Sequence, residues 1–199
     1  MEEEGFEYEM APFATEALVF VGNANNPVES LTADQIRGIY TGEITNWSQV
    51  GGNDSEIIPI QRNPEAGSQV MMESLVMDGQ EMMEAPTTYV VGDMEGLIEV
   101  VRSYDNSADA IGYSVYYYAA NMNMADGLKI IAVDGVQPEP ATIADGSYPF
   151  RNPYFVVINA HEEEDSPARI LYNWILSEEG QSLVDAEGYV PVGAASSGN

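Results

Sequence analysis

Short apolar runs typical of buried strands alternate along this chain with segments whose apolar residues recur at helical spacing. The first such run lies at residues 17–21, and Thr32 with Gln35 forms the sequence pattern of a helix capping box. The helix that it opens is predicted to end at Gly42. Further strands are predicted at residues 57–61, 89–91, 110–113, 129–133 and 154–158. An alternation of this kind is typical of an α/β fold.

Two of the predicted helices have a defined apolar face. In the helix that follows Gln69, the residues placed on one face are Val70, Met71, Ser74, Leu75 and Met77. Ser166 and Pro167 predict the start of a later helix, because a hydroxyl suits the cap and proline suits the first helical position. Its expected buried face consists of Ile170, Leu171, Trp174 and Ile175. Helices are also predicted from residue 92, carried by residues 97, 98, 100 and 101, and across residues 115–122.

The charge of the chain excludes several classes of partner. It has 33 acidic residues against 6 lysines and arginines, a formal net charge of −27. Nucleic acids and anionic membranes need cationic partners, so neither is expected here. Because the chain has no cysteine, disulfides, thiolate chemistry and zinc–cysteine sites are excluded. Hydrophobic residues make up 45% of the chain, enough for a core, yet no apolar run is long enough to span a membrane.

The most informative segment for function runs from Arg62 to Gln69, where a strand ends, a loop turns and a helix begins. Helix N-termini present unpaired backbone N–H groups and the positive end of the dipole, which makes them anion sites. Gly67 lets the backbone come close to an anion, and Ser68 supplies a hydroxyl donor. Arg62 adds a fork of donors suited to a tetrahedral oxyanion. The alternative, from the local pattern alone, is an ordinary strand–loop–helix junction with a capping serine.

A resemblance to a known family supports the anion site. Residues 31–52 read LTADQIRGIYTGEITNWSQVGG and closely resemble phosphate-binding proteins of ABC importers. Shorter matches follow in the same order at residues 92–96, 110–114, 149–158, 176–181 and 188–191. The resemblance extends from about residue 17 to residue 192, which is nearly the whole chain. It implies a type II periplasmic-binding-protein-like fold of two lobes, with the anion in the cleft between them.

The resemblance also implies which residues bind the ligand. Arg62 matches the family's phosphate-binding arginine, and Gly67 with Ser68 matches the glycine and threonine of its loop. Ala66 stands where the family usually has serine, which removes one hydroxyl donor, although its backbone N–H is expected to donate together with that of Gln69. The negative charge of Glu65 is expected to oppose an anion nearby unless it points to solvent. Weaker binding, or a different oxyanion, is therefore expected.

The start of the chain departs from the family, whose members carry a long segment before the part equivalent to Ala17. That segment builds most of their first lobe. We therefore expect one complete lobe at residues 19–148, which holds the anion, and a partial second one made of residues 1–18 and 149–199, a remnant of the first lobe. The sequence is therefore interpreted as a truncated or a split binding protein. The expected partners are phosphate or a related oxyanion, an ABC importer permease and, for a split protein, a first-lobe segment that is encoded separately.

The remaining patterns suggest no other chemistry. His161 lies in an acidic run that lacks metal-ligand spacing, so a solvated loop is expected there instead of a metal site. Of tyrosines 116–118, one or two rings are expected to pack in the core and one to lie at the surface, the alternative being carbohydrate stacking. Met71, Met72, Met82 and Met83 are expected to fill the core or form an exposed patch. With no catalytic constellation, neither an enzyme nor a cofactor is expected. The resemblance implies an extracytoplasmic location, and any export signal is expected outside this sequence; the alternative function is a non-transporting interaction or sensory module of the same fold.

Overall fold

The computed structural model describes residues 7–85, 90–93, 101, 107–121 and 127–192. It confirms the predicted α/β class. The strands are β1 (Tyr8–Asn23), β2 (Ser30–Leu31), β3 (Ile58–Pro59), β4 (Gln61–Arg62), β5 (Val90–Val91), β6 (Ala110–Val115), β7 (Leu128–Val133), β8 (Arg151–Asn159) and β9 (Val190–Pro191). The helices are α1 (Ala33–Thr41), α2 (Gly67–Met71), α3 (Tyr116–Asn121), α4 (Pro140–Asp145), α5 (Pro167–Ile175) and α6 (Glu178–Ala186). No helix within these described residues is long and apolar enough to cross a membrane.

The main sheet has the strand order β2-β7-β1-β6-β3. β1 runs antiparallel to both of its neighbours in this sheet, whereas β2 and β3 are parallel to β7 and β6. The core forms around β1, and its largest fully buried side chains include Trp47, Tyr40, Tyr113 and Phe20. Apolar side chains from α1 and from the segment after α2 complete this core.

β1 is a single 16-residue strand that takes part in two arrangements. Its residues 18–23 pair with β6 and β7, while residues 8–17 pair antiparallel with β8 in a two-stranded ribbon. β9 adds a short pairing at Ala14 and Thr15. The change of partner lies between Ala17 and Leu18, close to the predicted lobe boundary. The division into lobes itself stays a prediction.

The start of α1 follows the predicted local chemistry. The Thr32 hydroxyl accepts from the Gln35 backbone N–H at 3.1 Å, and the Gln35 side chain accepts from the Thr32 N–H at 2.8 Å. These two bonds form the predicted capping box. Gly42 ends the helix in the left-handed conformation (φ 82°) that glycine adopts without strain.

The predicted strand at residues 57–61 is wrong in its continuity, because the chain divides it between two sheets. Ile58–Pro59 pairs with β6, and the Ile60 N–H still donates to the Ile111 carbonyl at 2.8 Å. The next residues, Gln61 and Arg62, pair instead with β5 in a separate two-stranded sheet. Pro59 cannot donate a backbone hydrogen bond, which limits the length of β3.

The apolar face predicted after Gln69 is confirmed for Met71 and Met77, which are buried, and for Leu75, which packs against the core. It is wrong for Val70 and Ser74, which are exposed. α2 passes into a π-helical turn at Met72–Val76, so the spacing of its side chains changes from the α-helical period. Val70 is therefore 53% exposed, while Met72 and Val76 are fully buried. Met71 is buried in the same cluster, as expected for a methionine that fills the core.

The predicted buried face of α5 is wrong for three of its four residues. Ser166 caps the helix through the Arg169 N–H and Pro167 follows, as predicted. However, Ile170, Leu171 and Trp174 are all 40–58% exposed, and the side chains buried here are those of Arg169 and Tyr172. The helix periodicity was correct, but the surface against which this face could pack is not present among the described residues. Most of the helix expected from residue 92 to residue 101, and the tail from residue 194, lie outside the described residues.

Candidate anion-binding site

Strand β4 brings Arg62 to the edge of the small sheet, where the chain turns towards α2. The residue is 9% exposed. Its backbone N–H donates to the Tyr113 hydroxyl at 3.0 Å, and its guanidinium Nη2 donates to the Gly92 carbonyl at 3.3 Å. These bonds fix both ends of the residue, the backbone through β6 and the guanidinium through the segment after β5. The positively charged guanidinium group is therefore held in a partly dehydrated position, where charge-assisted hydrogen bonds are strongest.

Some of the backbone N–H groups that were predicted to donate to a ligand form hydrogen bonds within the loop between β4 and α2 instead. The Ala66 N–H donates to the Asn63 carbonyl at 3.0 Å, and the Gln69 N–H donates to the Ala66 carbonyl at 2.9 Å. The amides of Ala66 and Gln69 are thus occupied within the loop, because it closes into a tight turn before the helix begins. The amides of Gly67 and Ser68 have no acceptor in the described part of the chain.

Ser68 is buried, and Gly67 borders open space. Ser68 is 5% exposed, and its hydroxyl oxygen has no hydrogen-bond partner among the residues that the structure describes. A buried hydroxyl without a partner costs free energy, so such groups commonly have a function. A Cβ atom built on Gly67 would meet no atom within 4 Å, which leaves open space against its backbone. Packing therefore does not require glycine at this position.

The side chain of Gln69 belongs to a buried polar network that sequence reasoning missed. Its carbonyl oxygen accepts a hydrogen bond from the Tyr113 hydroxyl, and its Nε2 donates to Glu73 at 2.8 Å. Burial raises the pKa of Tyr113 far above its ordinary value, so this hydroxyl keeps its proton and remains a donor. Tyr113 thereby links Arg62 on β4 to Gln69 on α2. Its place in the matched segment at residues 110–114 was the only sequence signal for this role.

A cavity of about 650 Å³ opens beside this network. Arg62 and Gln69 line it, but Ala66, Gly67 and Ser68 do not. Its wall also contains the predicted methionines Met82 and Met83 and three carboxylates, those of Glu73, Glu81 and Glu84. The carboxylates oppose an anion in most of this volume, so the position that favours an anion is restricted to the part next to Arg62.

The histidine in the acidic run and one tyrosine of the tyrosine run contact other residues of the chain. His161 Nε2 lies 3.1 Å from a Glu7 carboxylate oxygen. Among the described residues no group of three or more histidine, aspartate or glutamate side chains could hold a metal ion. Tyr117 stacks on Tyr189 with ring centroids 4.2 Å apart, which assigns one ring of the tyrosine run to packing between elements distant in sequence.

Comparison with known proteins identifies the family. A family model described as the PBP superfamily domain matches residues 2–179. The chain belongs to the PBP superfamily. Among curated proteins, this PBP superfamily member is 28% identical over 184 residues to the phosphate-binding protein PstS of Borreliella burgdorferi, covering 90% of the chain and 64% of the relative. It is likewise 28% identical over 183 residues to PstS of Bacillus subtilis, covering 88% of the chain and 56% of the relative. The chain thus spans less than two thirds of the length of these relatives.

Solved structures confirm the fold of this PBP superfamily member. It superimposes with a TM-score of 0.76 and 28% identity on an ABC-type phosphate transport receptor from Vibrio cholerae, covering 96% of the chain and 75% of the receptor. A substrate-binding protein with bound phosphate from Clostridium perfringens gives a TM-score of 0.72 and 29% identity, with 93% of the chain and 72% of that protein covered. The predicted type II periplasmic-binding-protein-like fold is therefore confirmed.

Replacing Tyr113 with phenylalanine tests the network behind the site of this PBP superfamily member. The change leaves the Arg62 N–H and the Gln69 carbonyl without their partner, and each buried unsatisfied group costs about 1–3 kcal/mol. We expect urea denaturation to show a loss of about 2 kcal/mol or more in the free energy of unfolding. Tyr148→Phe is the control, because that buried hydroxyl donates only to the Leu18 carbonyl, at 2.8 Å, among the described contacts. An equal or larger loss in the control would contradict a special role for Tyr113.

Proposed function

We propose that this chain binds phosphate or a similar tetrahedral oxyanion as the solute-binding component of an ABC importer. The observation that carries the proposal is the buried Ser68 hydroxyl without a described partner, next to two amides that also lack one. Arg62, the Ser68 hydroxyl and the amides of Gly67 and Ser68 are the proposed donors. Binding is noncovalent and needs no metal or cofactor. The names of the PstS relatives and the phosphate bound in the related structure from C. perfringens support the choice of ligand.

The electrostatics of the chain make the proposed site depend on short-range contacts. A net charge of −27 repels an approaching anion, so association should be slow at low ionic strength and faster when salt screens the surface. Once the anion is inside, hydrogen bonds from Arg62 act in a partly dehydrated position, and each contributes about 1.5–3 kcal/mol. The free energy gained from hydrogen bonds to the buried donors thus has to exceed the electrostatic repulsion between the anion and the negative surface charge.

The partners and the location follow from the same proposal. The chain acts outside the cytoplasm and delivers its ligand to an importer permease. In this proposal residues 19–148 form the anion-binding lobe, and residues 1–18 with 149–199 belong to the other lobe. The alternative is a non-transporting interaction or sensory module of this fold. One observation favours it: Ala66 offers no hydroxyl, and its N–H is occupied by Asn63.

Isothermal titration with phosphate, sulfate and molybdate tests the proposed function. We expect binding of at least one of these oxyanions with a stoichiometry of one, and no effect of acetate, which is planar. Heat absent for all three would contradict the proposal and leave the interaction module as the better explanation.

The Gly67→Ala variant tests where the anion lies. A Cβ at this position meets no protein atom, and the φ angle is not positive, so the folded protein should tolerate it. If the anion contacts the Gly67 amide, the added methyl group enters its space and should lower affinity about tenfold, as measured by the same titration. The melting temperature of the variant, measured by circular dichroism, is the control and should be unchanged. Unchanged affinity in Gly67→Ala would place the ligand elsewhere.

A further inference from the structure

Glu73 lies at the far end of the hydrogen-bond network that begins at the backbone of Arg62. The Arg62 N–H donates to the Tyr113 hydroxyl at 3.0 Å, and this hydroxyl donates to the side-chain carbonyl of Gln69. The Gln69 Nε2 then donates to a Glu73 carboxylate oxygen at 2.8 Å. Tyr113 is fully buried and Gln69 is 5% exposed, so water has little access to the middle of the network. Glu73 is exposed and lines the cavity beside Arg62.

One orientation of the Gln69 amide satisfies all of these groups. The Tyr113 oxygen accepts from the Arg62 N–H, and the single proton of the hydroxyl needs an acceptor of its own, which is the Gln69 carbonyl oxygen. Rotating the amide by half a turn would place its NH2 group against Tyr113 and its oxygen against the Glu73 carboxylate. The tyrosine proton would then lose its acceptor, and oxygen atoms that only accept would face each other.

The carboxylate of Glu73 is the group that selects this orientation. The other described acceptor for the Gln69 NH2 group is the Met82 sulfur at 3.3 Å, and a thioether sulfur is a weak acceptor. Glu73 belongs to the π-helical turn at Met72–Val76, whose first and last residues are fully buried. Buried anchors on both sides therefore hold the carboxylate next to Gln69, and π-helical turns of this kind are frequent at functional sites.

We propose that Glu73 is a positioning residue of the oxyanion site, which fixes the Gln69 amide and, through Tyr113, keeps Arg62 aligned for the ligand. The inference rests on the proposed function, because its consequence is measured as oxyanion affinity. Glu73 acts through Gln69 and does not contact the anion. Its negative charge opposes an anion in the cavity, so the charge weakens binding while the hydrogen bond to Gln69 strengthens it.

Two variants that both remove the charge separate these effects. Glu73→Gln keeps an oxygen that can accept from the Gln69 Nε2, whereas Glu73→Ala removes the acceptor. The titrant is whichever of phosphate, sulfate and molybdate the unmodified chain binds most tightly. Glu73→Gln should bind it at least as tightly as the unmodified chain, because the repulsion is gone. Glu73→Ala should bind it about fivefold more weakly than Glu73→Gln, the effect of one lost hydrogen bond.

Glu81 provides the matched control for the loss of charge. Its exposed carboxylate lines the same cavity but makes no side-chain hydrogen bond with the residues that the structure describes. Glu81→Gln and Glu81→Ala should therefore have equal affinities, since each removes a charge and nothing else that the site depends on. Equal affinities of Glu73→Gln and Glu73→Ala would mean that Glu73 acts through its charge alone and would overturn the proposal.

A measurement without ligand separates this inference from the proposed function. In heteronuclear NMR, the side-chain NH2 protons of Gln69 should be protected from exchange in the unmodified chain and in Glu73→Gln, and should lose this protection in Glu73→Ala. Protection that persists in Glu73→Ala would overturn the positioning role, whether or not an oxyanion binds. If the unmodified chain binds no oxyanion but Glu73→Ala loses the protection, the proposed function fails together with the role in binding, and the hold of Glu73 on Gln69 is supported.

Discussion

Arg62→Ala should weaken oxyanion binding by about 100-fold or more, the largest effect that we expect for one substitution. The guanidinium is the one cationic group in the proposed donor set, and it is held in a position that is only 9% exposed. Two charge-assisted hydrogen bonds at about 1.5 kcal/mol each already amount to about 3 kcal/mol, which corresponds to roughly 100-fold in the dissociation constant. The variant also loses the 3.3 Å hydrogen bond to the Gly92 carbonyl, so its free energy of unfolding is measured alongside by urea denaturation. Isothermal titration of both proteins with phosphate measures the difference.

Arg151→Ala provides the matched control for the loss of one positive charge. Arg151 is exposed at the start of β8, and its guanidinium donates to the Ile143 carbonyl at 3.4 Å, away from the proposed site. Its replacement should change oxyanion affinity less than about threefold, because an exposed charge is screened by solvent and salt. If the two variants bind phosphate equally well, Arg62 does not contact the anion. In that case the non-transporting module becomes the preferred function.

Trp47→Ala should have the largest effect on stability. The indole ring is 1% exposed in the main core, and its N–H donates to the Asp109 carbonyl at 2.9 Å. Removing a buried aromatic side chain costs about 3–5 kcal/mol, since it leaves a cavity and removes apolar contacts. The Asp109 carbonyl would also lose its donor. For a chain of this size we expect the melting temperature to fall on the order of 10 °C, measured by circular dichroism.

The second tryptophan of the chain provides a control for Trp47→Ala within the same protein. Trp174 is 40% exposed on α5, so Trp174→Ala should cost about 1 kcal/mol or less in the isolated chain. The two variants remove the same side chain, which is buried and hydrogen-bonded at position 47 and partly exposed at position 174. A loss for Trp174→Ala as large as that for Trp47→Ala would mean that α5 packs against a surface that the described residues do not show.

The sequence was sufficient to predict the structure where local hydrogen bonding determines it. The capping box of Thr32 and Gln35 forms as predicted, because both of its hydrogen bonds lie within one helical turn. The resemblance across residues 31–52 led to the type II fold, which the solved relatives confirm. The strand–loop–helix order at Arg62 to Ser68 was also visible, because glycine and a hydroxyl mark the turn into the helix.

The sequence was insufficient to predict burial and hydrogen bonding where these depend on contacts between residues distant in sequence. Helical periodicity identified the apolar face of α5, but it could not show that Ile170, Leu171 and Trp174 would find no surface to pack against. The occupied amides of Ala66 and Gln69 depend on how the loop closes. The role of Tyr113 depends on its hydroxyl contacting both Arg62 of β4 and Gln69 of α2, which is 44 residues away in sequence. None of these arrangements leaves a signal in residue spacing.

The continuity of β1 has a mechanical consequence. Since one backbone serves both the ribbon and the main sheet, any rotation of one relative to the other is transmitted through covalent bonds instead of side-chain packing. Such a rotation has to be absorbed by the torsion angles near Ala17 and Leu18, where the strand changes partners and where both side chains are fully buried. This junction would act as a stiff hinge, which bends only as far as the surrounding core allows.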